Sequence, residues 1–293
     1  MGEKKKIAII GGSGKMGRWF AQFLRKEGHE VVITGRNEKK LLEAKRQLGV
    51  EIASNEEAIG WADAVVLSVP IDSFAEVVGQ IAPYTRSEQL IFDVTSVKVL
   101  PVEAMHQHIK KGLVLGTHPV FGPGARSLAS HNFVLTPTNE KETALAQKVR
   151  QYLETKGAKV AIMTPQEHDE MMSVILGLSH FIAIASADTL LSFDKLEQMK
   201  AIGGITYKAL LTLVESVLSE DPELYASIQM NLPHVVEAEG LFQSKVKAWS
   251  ERVKNRDRHE FIQRMTALRE KLEKSSPDFG KAYENMYKLA DRL

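Results

Sequence analysis

Gly12, Gly14 and Gly17 fall in the string Gly11-Gly-Ser-Gly-Lys-Met-Gly, directly after the apolar run Ile7-Ala-Ile-Ile and ahead of a helical stretch. A G-x-G-x-x-G string is weak alone and gains meaning when it follows a strand and opens a helix. Gly12 then permits a tight turn, Gly14 lets the backbone approach a pyrophosphate, and Gly17 lets the helix pack closely on the strand. The helix start adds free N–H groups and a positive dipole end, so Ser13, Lys15 and Met16 join the glycines in cradling a dinucleotide. The next strand ends Val31-Val-Ile-Thr-Gly-Arg-Asn. A carboxylate there would bond the ribose 2′-hydroxyl of NAD. Gly35 stands in its place, Arg36 follows, and Lys39 and Lys40 lie close behind. Loss of the carboxylate removes repulsion, and an arginine fork can bind a 2′-phosphate, so NADP is favoured over NAD. In the plainer reading Arg36 only stacks on adenine and the lysines are a solvated helix face.

A second kind of chemistry centres on histidine. His118 follows the strand-like stretch Leu113–Gly116, at the carboxyl edge where open α/β sheets bind ligands. An imidazole titrates near neutral pH and can accept a hydroxyl proton. Taken alone, His118 reads equally well as a structural turn residue. His180 shares a helix face with Ser173, Leu176 and Gly177, where a lone histidine is more often part of the core. The run His168-Asp169-Glu170 suggests a metal cluster only superficially, because consecutive helix residues point to different faces; no metal site is expected. His106 and His108 are expected on an exposed helix.

The elements that must position these groups follow from the hydrophobic pattern. Short apolar strands alternate with helices up to Thr164, which implies a parallel sheet covered on both faces. The strands are expected at Ile7–Ile10, Val31–Thr34, Ala64–Val69, Leu90–Val94, Leu113–Gly116, Phe133–Thr136 and Val160–Met163. After Thr164-Pro165 no strand is evident. Helices are expected at Gln166–Ser192, Lys195–Ser219, Pro222–Arg252, Arg258–Lys274 and Pro277–Leu293, several with apolar faces wide enough to pack on a second subunit. The expected architecture is α/β plus all-α: a Rossmann-type doubly wound parallel sheet over 1–164 and an all-helical substrate and dimerisation domain over 165–293.

Composition limits the alternatives. The 293 residues suffice for about two domains. Lys plus Arg is 38 against 37 for Asp plus Glu, so general nucleic-acid binding is not expected. The charge is divided: residues 1–164 hold 22 basic and 17 acidic residues, and 165–293 hold 16 and 20. The absence of cysteine removes disulfides, thiolate metal sites and cysteine nucleophiles. No apolar run is read as approaching the ~20 residues that span a bilayer, so no membrane partner is expected, and a cytoplasmic location is the default.

Several segments together carry a resemblance to a known family. They are Gly11-Gly-Ser-Gly-Lys-Met-Gly, Val66-Leu-Ser-Val-Pro, Asp93-Val-Thr-Ser-Val-Lys, Gly116-Thr-His-Pro-Val-Phe-Gly-Pro, Gly177-Leu-Ser-His-Phe and Asp221-Pro-Glu-Leu-Tyr. Over nearly its whole length the chain resembles the prephenate and arogenate dehydrogenases of tyrosine biosynthesis. The resemblance implies hydride transfer from the ring carbon bearing the 4-hydroxyl of prephenate to a nicotinamide, with loss of CO2 to give 4-hydroxyphenylpyruvate. It implies that His118 accepts the hydroxyl proton and that Ser96 touches both His118 and that hydroxyl. It places Ser68, Val69 and Pro70 along the cofactor and His180 in the substrate pocket. Lys208 matches a basic family position. Lys98 either attracts a substrate carboxylate or begins the next helix. Gln229 and Asn231 can reach the pocket, though each singly is more readily a polar helix face.

The chain also departs from the family pattern. Relatives commonly place an arginine five residues ahead of Asp221, where it binds a substrate carboxylate; here that residue is Ser216, beside Glu215. Lys208, Lys98 and Arg126 are candidate replacements. Arogenate, whose side chain carries an ammonium that Glu215 would suit, is the alternative substrate. A non-catalytic NADP-binding regulatory protein is the alternative outside enzymes. A fused chorismate mutase is expected to be absent, and a homodimer through the helical domain is expected.

Overall fold

The computed structural model describes residues 4–290. The opening Met1-Gly-Glu and the end of the expected last helix, 291–293, lie outside the described residues. Two compact units are present, divided between Met172 and Ser173.

The first unit runs β1 (Lys6–Ile10), α1 (Lys15–Lys26), β2 (Glu30–Ile33), α2 (Glu38–Leu48), β3 (Glu51–Ile52), α3 (Asn55–Trp61), β4 (Ala64–Leu67), α4 (Phe74–Ile81), β5 (Leu90–Asp93), α5 (Val99–His108), β6 (Leu113–Val120), β7 (Asn132–Thr136), α6 (Glu140–Thr155), β8 (Lys159–Ile162) and α7 (Pro165–Met172). The strands form one sheet in the order β3-β2-β1-β4-β5-β6-β7-β8. β1 pairs in parallel with β2 on one side and β4 on the other, so the chain reverses direction across the sheet at that crevice. This is the switch point at which such sheets bind ligands. Alternation along the strands fills both faces. Ile7, Ile9, Val31, Ile33, Val66 and Leu115 join Trp19 and Phe20 of α1 on one face. Ala8, Ile10, Val32, Val65, Leu67, Ile91 and Val114 meet residues of α3, α4 and α5 on the other.

The all-parallel expectation fails at one place. β6 runs to Val120, beyond the expected Gly116, and pairs antiparallel with β7. No helix separates these strands, so no parallel crossover forms. Its parallel register with β5 ends at Phe92↔Leu115. His118 therefore lies within a strand extension opposite Val134, past the ends of the parallel strands.

The unit boundary falls later than Thr164 because α7 packs on α5 and β7. A capping box starts this helix: Thr164 Oγ1 accepts from the Glu167 N–H at 3.2 Å, and the Thr164 N–H donates to Glu167 Oε2 at 2.8 Å.

The second unit opens with a π-helical segment, Ser173–Leu178, followed by α8 (Ser179–Leu191), α9 (Leu196–Ile202), α10 (Ile205–Leu218), α11 (Pro222–Asn231), α12 (Val235–Lys254), α13 (Arg258–Ser275) and α14 (Ala282–Ala290). Two of the expected long helices are broken. Gly203-Gly204 separates α9 from α10, and Leu232-Pro233-His234 separates α11 from α12. Proline removes an N–H and disfavours helix for the residue before it. The expectation of no apolar span also needs correction: within the helical stretch Pro165–Leu191 an 18-residue window has a mean hydropathy of 1.8, so the stretch is long and apolar enough to cross a membrane by length and composition only.

Candidate active site

The glycine turn is built at the carboxyl end of β1. Gly11 carries the left-handed backbone, φ 81°, and a Cβ there would lie 2.2 Å from the Ser68 carbonyl oxygen. The sharp turn thus belongs to Gly11 rather than Gly12. A Cβ on Gly12 would meet Ile33 Cβ at 2.5 Å, so Gly12 instead makes room for β2. Gly17 does what its spacing implies, since its Cβ would sit 2.6 Å from both Gly11 O and Gly12 Cα. At Gly14 the nearest atom would be Gly11 O at 3.4 Å. Gly14 caps α1 without a side chain, and the first turn holds no acidic residue. Its N–H groups and positive dipole end suit an anion. Arg18 braces the turn by donating to Ser13 O at 3.1 Å and to Lys40 O at 2.9 Å.

The rest of the expected cofactor set lies around this turn. Ser68, Val69 and Pro70 follow β4, and the Ser68 N–H donates to Ile10 O at 2.8 Å. A side chain at Gly35 would begin 2.4 Å from Ser13 Oγ, so the turn itself occupies the space a strand-end carboxylate would need. Arg36 is exposed, and its guanidinium has no partner among the described residues. The residues present therefore fit a dinucleotide, with Gly14 and the α1 N-terminus toward pyrophosphate and Arg36 at the ribose end.

His118 is buried, and its partner differs from the expected one. Its Nδ1 lies 2.8 Å from Nε2 of His168, and His168 Nδ1 lies 2.7 Å from Asp169 Oδ1. Asp169 also accepts the backbone N–H of Lys98 at 2.7 Å and of Val99 at 2.9 Å. Burial holds the His118 imidazole well below the ordinary histidine range, with His168 and Lys98 adding to the effect. Burial lowers His168 as well, opposed by its bond to Asp169. Both rings are thus neutral at neutral pH. The orienting contact expected from Ser96 is supplied by His168; Ser96 itself is half-buried on the loop after β5.

Lys98 is not available to a substrate carboxylate. Its ammonium is fully buried, pairs with Asp93, and donates to Thr95 Oγ1 at 3.2 Å and Thr117 O at 2.5 Å. An ammonium has three protons, and all are engaged. Asp93 also accepts the Thr117 N–H at 2.9 Å, so the pair clamps the residue beside His118. Lys98 does begin α5, as its N-cap.

Sequence reasoning missed His168 and Asp169. A signal was present: Pro165, His168, Asp169 and Met172 are the buried residues of α7, spaced i, i+3, i+4, i+7. Adjacent residues at i+3 and i+4 share one inward stripe.

In the second unit, His180 packs edge-on against Tyr225 with ring centroids 4.6 Å apart. Its buried Nδ1 has no hydrogen-bond partner, and burial lowers its pKa. Gln229, one turn along α11 from Tyr225, donates to Gly177 O at 2.8 Å, while its Oε1 is buried without a partner. A Cβ on Gly177 would come within 2.6 Å of Val235 Cγ2, so this glycine lets α12 approach the π segment. His180 and Gln229 thus lie on packed neighbours, each with an unanswered polar atom. Lys208 is exposed on α10, with no ion pair among the described residues. Ser216 is exposed and donates to Leu213 O at 2.8 Å, and Glu215 pairs with Lys200 at 3.2 Å.

The doubly wound sheet with its glycine turn, followed by a helical unit, defines a two-domain nucleotide-binding protein of the α/β dehydrogenase type. The model of the prephenate dehydrogenase nucleotide-binding domain matches residues 20–162, and that of the prephenate dehydrogenase dimerization domain matches 164–267. The chain belongs to the prephenate dehydrogenase family. It is 38% identical over 264 residues to a probable arogenate/prephenate dehydrogenase of Methanocaldococcus jannaschii, which covers 88% of this chain and 59% of that protein. It is 30% identical over 293 residues to the T-protein of Haemophilus influenzae, covering 98% of this chain and 72% of that one. The chain therefore spans less than two thirds of the first of these relatives. Its fold matches that of the A. aeolicus prephenate dehydrogenase solved with hydroxyphenyl propionate and NAD+, with a TM-score of 0.77 at 22% identity, covering 94% of this chain and 99% of that one.

Proposed function

We propose that the chain catalyses the NAD(P)-dependent oxidative decarboxylation of prephenate to 4-hydroxyphenylpyruvate, with His118 as the proton acceptor. The observation that carries this reading is the buried His118, lying beyond the parallel strand ends with its Nδ1 held at 2.8 Å by His168. A bound nicotinamide supplies the hydride acceptor. His118 takes the 4-hydroxyl proton as the ring carbon is oxidised, and the proton returns to that oxygen as CO2 leaves and the ring becomes aromatic. Burial keeps the imidazole unprotonated and ready for this task. NADP is the favoured cofactor because Gly35 leaves no carboxylate and Arg36 is unengaged. Ser96 contributes to orienting the hydroxyl, and His180, Lys208 and Gln229 contribute substrate contacts. Arg126, exposed and unpaired among the described residues, remains a candidate carboxylate partner. The helical unit joins two copies, and the reaction is cytoplasmic.

The test is formation of reduced nicotinamide with purified protein, prephenate or arogenate, and NAD or NADP. Turnover with prephenate, lost in His118→Asn with dinucleotide binding retained, is the expected result. Turnover with arogenate alone would reassign the substrate. Dinucleotide binding with no turnover on either would favour the regulatory reading.

A further inference from the structure

Behind His118 the contact with His168 continues to the buried carboxylate of Asp169. We infer that His168 and Asp169 are positioning residues that fix the tautomer of His118, keeping a proton on Nδ1 and leaving Nε2 bare to receive the substrate proton. This inference rests on the reading of His118 as the acceptor.

The assignment follows from donors and acceptors in order. Asp169 is held by two backbone N–H groups, from Lys98 at 2.7 Å and Val99 at 2.9 Å. A carboxylate only accepts, so its 2.7 Å contact requires the proton of His168 to be on Nδ1. Nε2 of a neutral His168 then only accepts, and the 2.8 Å contact requires His118 to donate from Nδ1. The lone pair of His118 is left on Nε2. The opposite polarity needs a doubly protonated His168. Its complete burial and the charge of Lys98 oppose that form, against Asp169 and Asp93, which favour it. The groups acting on His118 are His168 and Lys98. When Nε2 takes the hydroxyl proton, the resulting imidazolium donates through Nδ1 to His168, with the Asp169 carboxylate behind. The proton later returns to the same oxygen, so the chain cycles without net proton release.

The experiment is 15N NMR of histidine-labelled full-length protein, with the His118 and His168 signals assigned from His118→Asn and His168→Asn. The expected result is a protonated Nδ1 and bare Nε2 on both rings. In Asp169→Asn, an amide nitrogen in the Oδ1 position donates to His168 Nδ1 and reverses both tautomers, whereas one in the Oδ2 position leaves an oxygen to His168 and removes only the charge. The 15N signals of the variant tell the two apart. With the tautomers reversed, kcat is expected to fall about 10²- to 10⁴-fold, the range for loss of a correctly prepared base, while KM and dinucleotide affinity hold. Removing the Asp169 charge also withdraws support from the His118 imidazolium, so the acid limb of kcat moves to lower pH while the plateau drops. A structural role alone would not move that limb. A parent protein with the His118 proton on Nε2 overturns the inference. So does an Asp169→Asn protein whose tautomers are reversed and whose kcat is parental. The expected tautomer together with full turnover in His118→Asn would leave the positioning chain standing and remove the acceptor reading instead.

Discussion

Lys98 and Arg36 show what context does to a cation. Lys98 sits at zero exposure against Asp93, with every proton committed, and burial lowers its pKa while Asp93 opposes the shift. Arg36 is exposed and uncommitted, which is the condition for meeting a 2′-phosphate. Arg36→Ala should therefore weaken NADP binding about 10- to 100-fold, the worth of a charge-assisted hydrogen bond of roughly 1.5–3 kcal/mol. NAD binding should change little, because NAD has no phosphate there. Titration of both dinucleotides by intrinsic fluorescence checks this; equal losses for the two would mean that Arg36 stacks on adenine. The residues that were legible in the sequence were those whose role is local. The glycine string and the His-Pro motif lie on single segments. His168 was not legible, because its partner is 50 residues away and its meaning comes from which strand α7 covers. Lys98 was ambiguous for the same reason, since its partners include Thr117 across β6.

Elements explain why the turn can hold a phosphate at all. α1 starts against the turn only because Gly17 lacks a Cβ, while Gly14 opens the side where the backbone is free. Two substitutions separate these functions. Gly17→Ala puts a methyl group 2.6 Å from Gly11 O and Gly12 Cα, so α1 must shift, at a cost of about 1–3 kcal/mol for overpacking. It should lower the thermal midpoint and weaken dinucleotide binding together. Gly14→Ala meets nothing nearer than 3.4 Å and should cost under about 1 kcal/mol as a poorer cap. It should nonetheless weaken binding, by filling the backbone approach. Calorimetric melting and dinucleotide titration on both variants test the division, and undiminished binding in Gly14→Ala would remove the pyrophosphate from this turn. The periodicity that revealed these strands and helices could not reveal the β6 extension. Thr117, His118 and Pro119 do not form an apolar run, yet they pair with β7 because the chain returns without an intervening helix. The breaks at Gly203-Gly204 and Pro233 were written in breaker residues, but apolar spacing continued across them and hid them.

At the scale of the whole molecule, the second unit leaves large apolar side chains exposed. Ile262, Met265, Leu268 and Leu272 stand out along α13, and Val236, Leu241, Val246 and Val253 along α12. Along α13 the spacing of three, three and four residues makes a stripe that a second copy would cover. Light scattering at micromolar concentration should give twice the chain mass, and a monomer would contradict it. The buried histidines make a second global property predictable. His118, His168 and His180 are each held below the ordinary imidazole range, foremost by burial, as is the less buried His29. Unfolding returns them to about 6.5, so below that pH the unfolded chain binds more protons than the folded one. Stability is therefore fully present above about pH 6.5 and is lost as pH falls toward the folded values, by about 1.4 kcal/mol for each unit of depression. The exposed carboxylates with lowered values, such as Glu57 and Glu167, act in the same direction but only below about pH 4.5. Urea midpoints between pH 7.5 and 5.5 thus isolate the histidines. The midpoint should fall across this window, and His180→Leu should flatten the fall by removing one titrating group while filling the face beside Tyr225. A midpoint that rises on acidification would mean that these rings are charged in the folded protein, and His118 could then not be the proton acceptor.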